Sequence, residues 1–135
     1  MTIYNLGSIN SDYFYHLPNL PLAGETLAAQ DYKRGMGGKG ANMSVAASRG
    51  AARVMHIGAV GQDGLWAKNR LLEYGVDTRH IAIGSIMGHA IIMIDPSGEN
   101  SIVIQPGANR EITKHQIGSA PVSYTHLTLP TIYSV

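Results

Sequence analysis

A chain of 135 residues with 44% hydrophobic side chains can build one real core, and its formal charge of +1, with acids and bases intermixed, leaves no electrostatic footprint for nucleic acid or an anionic membrane. The absence of cysteine excludes a disulfide framework, a thiolate metal site and a thiol nucleophile. No apolar run approaches the roughly 20 residues of a spanning helix, and the opening residues lack the basic-then-apolar order of a secretory leader, so a cytoplasmic protein is the default expectation.

Residues 3–6 read as a short strand ending at Gly7-Ser8. Asn10 and Asp12 follow it, just past a strand's carboxyl end, where open α/β sheets bind ligands. Taken alone, both are ordinary turn residues, since Asn and Asp bond their own backbone in loops. Residues 13–20, 25–29 and 31–33 mix aromatic, β-branched and polar side chains and predict an antiparallel flap, only part of it core.

A glycine cluster, Gly35-Met36-Gly37-Gly38-Lys39-Gly40, then runs into the alanine-rich segment from Ala41. It reads as a loop feeding a helix N-terminus, where glycines let a ligand approach the backbone and the first N–H groups favour electron-rich oxygens. Lys39 and Asn42 stand three positions apart and share a face, which suits a polyol or an anion. The cluster satisfies the bare dinucleotide pattern G-x-G-x-x-G, but that fingerprint requires a buried strand in front, and Asp31-Tyr32-Lys33-Arg34 is polar. The phosphate loop G-x-x-x-x-G-K-[ST] fails at both Lys33 and Gly40. The helix is expected to run to Arg49, with Gly50 as its C-terminal cap.

Residues 54–60 are nearly continuous apolar, as in a parallel strand buried on both faces, which makes His56 a core histidine. Asp63 is placed to cap the next helix, with Leu65, Leu71 and Leu72 on its buried face, Trp66 packing, and Gly75 ending the run. Strand, helix, strand, helix implies parallel crossovers. Residues 90–95 and 101–105 predict a hairpin around Pro96-Ser97-Gly98-Glu99-Asn100, and Gly107-Ala108-Asn109 makes a further polar turn. Thr113 and Gln116 fit a capping box, but Gly118-Ser119-Ala120-Pro121 breaks that helix after about one turn. No two of the six histidines stand three or four positions apart, so no metal site is legible.

The order and spacing of Gly7-Ser8-Ile9-Asn10-Ser11-Asp12, Gly24-Glu25-Thr26 and Gly37-Gly38-Lys39-Gly40-Ala41-Asn42 resemble the N-terminal half of the ribokinase-like (PfkB) carbohydrate kinases. Residues 58–64, Gly75-Val76-Asp77, Gly98-Glu99-Asn100 and Gly107-Ala108-Asn109 extend the match over roughly residues 3–120. The resemblance implies a Rossmann-like α/β parallel sheet with a small β lid, formed by segments about 13–33 and 81–94, that closes over a sugar and supports a homodimer. It makes Asn10, Asp12, Gly38, Lys39 and Asn42 the sugar-binding residues, ribose being the first expectation. It further implies an intact enzyme that uses ATP, Mg2+ and a monovalent cation to phosphorylate a sugar hydroxyl.

Two departures qualify that picture. Met87-Gly88 stands where many relatives carry Thr-Gly. The family's Gly-Ala-Gly-Asp segment, which bears the catalytic base, its Asn-x-x-Glu segment and its nucleotide pocket are not found, so this chain by itself is expected to be inactive, with no catalytic residue assigned on it. Residues 121–135 form a threonine-rich tail that resembles translated adapter read-through, implying a native sequence that ends near Ala120. The alternatives are a non-catalytic sugar-binding or dimerisation module and, ranked last, a dinucleotide-binding domain.

Overall fold

Among residues 1–118, which the computed structural model describes, seven strands form two separate sheets. In chain order the elements are β1 (Thr2–Leu6), β2 (Asn10–His16), β3 (Asp31–Gly37), α1 (Lys39–Arg49), β4 (Arg53–Gly61), α2 (Leu65–Glu73), β5 (Asp77–Gly84), β6 (His89–Ile94), β7 (Asn100–Gln105) and α3 (Lys114–Gly118). Short 3-10 turns occupy Gln62–Gly64 and Gly107–Arg110. The larger body is an α/β unit with a wholly parallel sheet in the order β1-β4-β5. The lid is a four-stranded sheet in the order β3-β2-β6-β7.

The continuous apolar run forms the central strand β4, buried from Val54 to Gly61, as a parallel strand covered on both faces must be. Helix α1 presents Gly40, Ala41, Ser44 and Val45 to the sheet. These small side chains allow a close approach: a Cβ on Gly40 would stand 2.5 Å from the Gly7 carbonyl carbon. From α2, Ala67 and Leu71 are fully buried against the same core. Burying Leu71 alone stabilises the fold by roughly 1.5–3 kcal/mol.

Helix ends follow different rules than the sequence suggests. After α1 the left-handed residue is Ala51 (φ 63°), while Gly50 keeps φ −77° and the chain is tied down by N–H donation from Gly50 to Ala46 O and from Ala52 to Ala47 O. After α2 the expected glycine does the work: Gly75 takes φ +80°, with Gly75 N–H to Leu72 O at 2.9 Å and Val76 N–H to Leu71 O at 3.0 Å. Asp63 does not cap α2; its Oδ1 accepts the Met87 backbone N–H at 2.8 Å. Leu65 and Leu72 are about half exposed, because only Leu71 of the three lies on the helix face that meets the sheet.

The lid also departs from the predicted flap. Residues 25–29 form no strand, whereas β3 extends to Gly37, so Gly35, Met36 and Gly37 are sheet residues paired with Asp12, Ser11 and Asn10. Only Gly38 separates β3 from α1, at φ 92°. A strand therefore does precede the glycines, but it is an antiparallel lid strand with Asp31 to Arg34 all exposed, and the buried strand of a dinucleotide fingerprint is not there. Residues 81–84 belong to β5 of the body; the lid takes β6 and the unassigned β7 in their place. The β6–β7 hairpin forms as expected, while β2 and β6 run parallel, so the lid is mixed.

All four passages between lid and body lie along one row of the lid sheet, where Asn10 pairs with Gly37, Ser11 with His89, and His89 with Gln105. The opposite row joins Asp31, His16, Ile94 and Asn100. Thr113 Oγ1 accepts the Gln116 N–H at 3.2 Å, as a cap should, but the Gln116 side chain donates to Gly58 O (2.6 Å) and His80 O (3.2 Å) and pins α3 to the body. Residues 121–135 lie outside the described residues. No helix among the described residues is long and apolar enough to cross a membrane.

Candidate functional site

Asn10 and Asp12 are neither turn residues nor loop ligands: they open β2 at the lid–body seam and, two positions apart, share one face of the strand. Neighbouring glycines make room for them. A Cβ on Gly37 would collide with the Asp12 carboxylate, and one on Gly38 would stand 2.9 Å from the Asn10 backbone nitrogen and 2.5 Å from Ser8 O. Burial pushes the Asp12 carboxyl above its ordinary range, as desolvation disfavours its charged form.

Lys39 and Gly38 sit at the first turn of α1, directly beside this pair, with the Asn42 N–H bonded to Gly38 O at 3.0 Å. Asn42 is exposed and lines a cavity of about 440 Å3 between β3, α1 and α2, with Met36, Arg49, Arg70 and Tyr74 among its other walls. The structure thus brings Asn10, Asp12 and Gly38 together and sets Lys39 next to Gly38 at the helix start, whereas the cavity lined by Asn42 includes none of these four residues. Met87, which stands where many relatives carry threonine, is buried in the body core.

The start of α1 is held by a buried polar chain. A carbonyl can only accept, so the 3.0 Å contact with Gly7 O makes His56 Nε2 the donor and leaves Nδ1 to accept the Ser44 hydroxyl at 2.7 Å. Asn5 Nδ2 then donates to Ser44 Oγ and to Gly40 O, each at 2.8 Å. His56 is fully buried, and desolvation lowers its pKa to about 4.

Asn109 is the site residue that the sequence reading passed over as a polar turn. It is buried, its Oδ1 accepts the Ile9 N–H at 2.9 Å, and its Nδ2 donates to Asn10 Oδ1 at 2.8 Å. The signal was the Gly107-Ala108-Asn109 turn itself: Gly107 takes φ +50° close against Ile86 O and Gly88 N, which brings Asn109 down onto β2. Gly88 lies over both asparagines, and a Cβ there would strike Asn109 Nδ2 and come within 2.8 Å of Asn10 Oδ1.

A second lid–body contact lies across the sheet, where Arg34 of β3 stacks its guanidinium 4.2 Å from the Trp66 ring of α2 and donates Nε–H to Ser11 Oγ at 3.1 Å. Among the described residues no group of three or more His, Asp or Glu could hold a metal ion.

The sequence matches the pfkB family carbohydrate kinases over residues 3–127. It is 43% identical over 117 residues to a ribokinase of Haemophilus influenzae, covering 84% of this chain and 38% of that protein. It is 34% identical over 125 residues to a deoxyribokinase of Salmonella typhi, covering 89% and 40%. The fold superposes on a ribokinase from Cryptococcus neoformans in complex with ADP, with a TM-score of 0.74 and 39% identity over 79% of this chain and 35% of that one. It also superposes on Arabidopsis thaliana ribokinase complexed with ribose and ATP, with a TM-score of 0.69 and 29% identity over 80% and 36%. The chain spans about two fifths of the length of these curated relatives. With its parallel body, its small β lid and a family match that covers nearly the whole sequence, the chain belongs to the pfkB family of carbohydrate kinases.

Proposed function

We propose that this chain is the sugar-reading half of a ribokinase-like enzyme which, when intact, transfers the γ-phosphoryl group of ATP to a hydroxyl of ribose or a close relative. The observation that carries the reading is the pairing of Asn10 and Asp12 on one face of β2, beside Gly38, at the seam between lid and body. A carboxylate accepts and an amide both accepts and donates, which is the equipment needed to read neighbouring hydroxyls. Gly38 contributes backbone, Lys39 a cation and Asn42 an amide at the first turn of α1, where helical N–H groups favour electron-rich oxygens.

Phosphoryl transfer is achieved mostly by positioning and charge stabilisation, so the contribution of this half is to hold the sugar in one orientation. The same reading pairs two copies through the lid, where β7 leaves Ile102 and Val103 exposed. Calorimetric titration of the 135-residue chain with ribose, 2-deoxyribose and fructose tests the sugar reading. Saturable binding of ribose, lost in Asp12→Ala, is expected; a folded chain that binds no sugar overturns it.

A further inference from the structure

The orientation of an asparagine amide is legible when one of its partners can only donate. The Ile9 backbone N–H is such a partner: it donates to Asn109 Oδ1, which identifies the other end of that side chain as Nδ2 without ambiguity. Nδ2 in turn donates to Pro106 O (3.0 Å), Ile9 O (3.3 Å) and Asn10 Oδ1 (2.8 Å). The first two are carbonyls and can only accept, so they agree with the same assignment. It follows that Asn10 turns its oxygen toward Asn109 and its NH2 group the other way, on the strand face it shares with Asp12.

We propose that Asn109 is a positioning residue that sets the polarity of the sugar site, locking Asn10 as a donor beside Asp12 as an acceptor. The inference rests on the sugar reading above and deepens it. One side chain then offers hydrogen atoms and the next offers lone pairs, so a sugar is held best when one hydroxyl oxygen meets Asn10 while a hydroxyl hydrogen meets Asp12. Gly88 is part of the device, because a side chain there would strike Asn109 Nδ2 and crowd Asn10 Oδ1, while Gly107, at φ +50°, has no room for a Cβ against Ile86 O and Gly88 N.

The test compares the 135-residue wild-type chain with Asn109→Asp and Asn10→Asp, titrating ribose and following the backbone and asparagine side-chain resonances by NMR. In Asn109→Asp the Ile9 N–H keeps an acceptor, but a carboxylate oxygen now faces Asn10, whose amide must turn over and present its oxygen to the sugar. In Asn10→Asp the bond from Asn109 survives and only the outward donor is lost. Each variant is expected to bind ribose about tenfold or more weakly, with the resonances of residues remote from the seam unchanged.

Asn10→Asp keeps the proposal testable should Asn109→Asp fail to fold. Ribose binding that either folded variant leaves at the wild-type affinity overturns the inference alone. Absence of sugar binding in the folded wild-type chain overturns the sugar reading, and this inference with it. A sugar-free spectrum in which the Asn10 NH2 protons contact Asn109 overturns the inference independently of any ligand.

Discussion

Ser44 Oγ and His56 Nδ1 lie 2.7 Å apart inside the body, with the hydroxyl donating to a neutral ring whose other nitrogen bonds Gly7 O. This arrangement fixes both the protonation state and the tautomer of His56, and it gives the fold a pH dependence. The folded-state pKa of about 4 lies below the roughly 6.5 of an unfolded histidine, so between those values the unfolded chain binds the extra proton. The contribution is therefore complete above about pH 6.5 and is lost as the pH falls toward 4, amounting to on the order of 3 kcal/mol. Urea titrations from pH 4.5 to 8 should show stability rising through this window, and His56→Ala, though less stable throughout, should flatten that rise. An unchanged slope in the variant would assign the acid sensitivity to other groups.

Asp12 has the opposite sign. Burial raises its pKa, so from the ordinary carboxylate range upward the folded state favours the proton and the ionised carboxylate works against folding. Asp12→Asn is expected to melt at a higher temperature than wild type at pH 7 in the absence of sugar, with the difference shrinking as the pH falls into the carboxylate range. The same substitution should weaken ribose binding at least about tenfold, since a hydroxyl loses its charged acceptor. Scanning calorimetry at several pH values, paired with sugar titration, checks both halves.

Two glycines with nearly equal φ separate strain from crowding. Gly98 has φ +89° and nothing within 4 Å of a Cβ, so Gly98→Ala should cost roughly 1–2 kcal/mol from the left-handed backbone alone. Gly38 has φ +92° with Ser8 O and Asn10 N in the way, and Gly38→Ala should cost on the order of 3 kcal/mol or more. Equal costs in denaturant titrations would count against the close packing of α1 on the seam.

Trp66 is the chain's single tryptophan and lies under the Arg34 guanidinium, which makes its fluorescence a report on the contact between lid and α2. Arg34→Ala is expected to move the emission maximum to longer wavelength as water reaches the indole, and to lower stability by about 0.5–2 kcal/mol. Emission identical to wild type would mean that the two surfaces are already apart in solution.

How far the sequence discloses this molecule depends on the range of the interaction concerned. The β4 run, the β6–β7 hairpin, the helix from Lys39 to Arg49 and the Gly75 terminus were legible because each is set by residues within a few positions of one another. The lid was harder: the parallel pairing of β2 with β6 joins residues that stand 78 positions apart, as Ser11 and His89 do. Leu65 and Leu72 were misplaced because a seven-residue spacing marks a common face without saying which face meets the sheet. Asp63 had a cap's position and composition, but the Met87 N–H, brought in by the β5–β6 connection, captured its carboxylate. Of the site, Asn10 and Asp12 came from resemblance, since their own spacing speaks of turns. Asn109 was hidden because its partner lies 99 residues away.

The row Asn10, Gly37, His89 and Gln105, where all four chain passages cross, is the natural fulcrum for any swing of the lid, and it carries Asn10 of the proposed site. The far row, at His16 and Asn100, is about 20 Å along the strands. A swing of ~10° about that fulcrum carries the far row some ~3.5 Å while Asn10 hardly shifts, given the strand rise. On the proposed sugar reading, such a swing leaves Asn10 in place while the outer half of the lid travels.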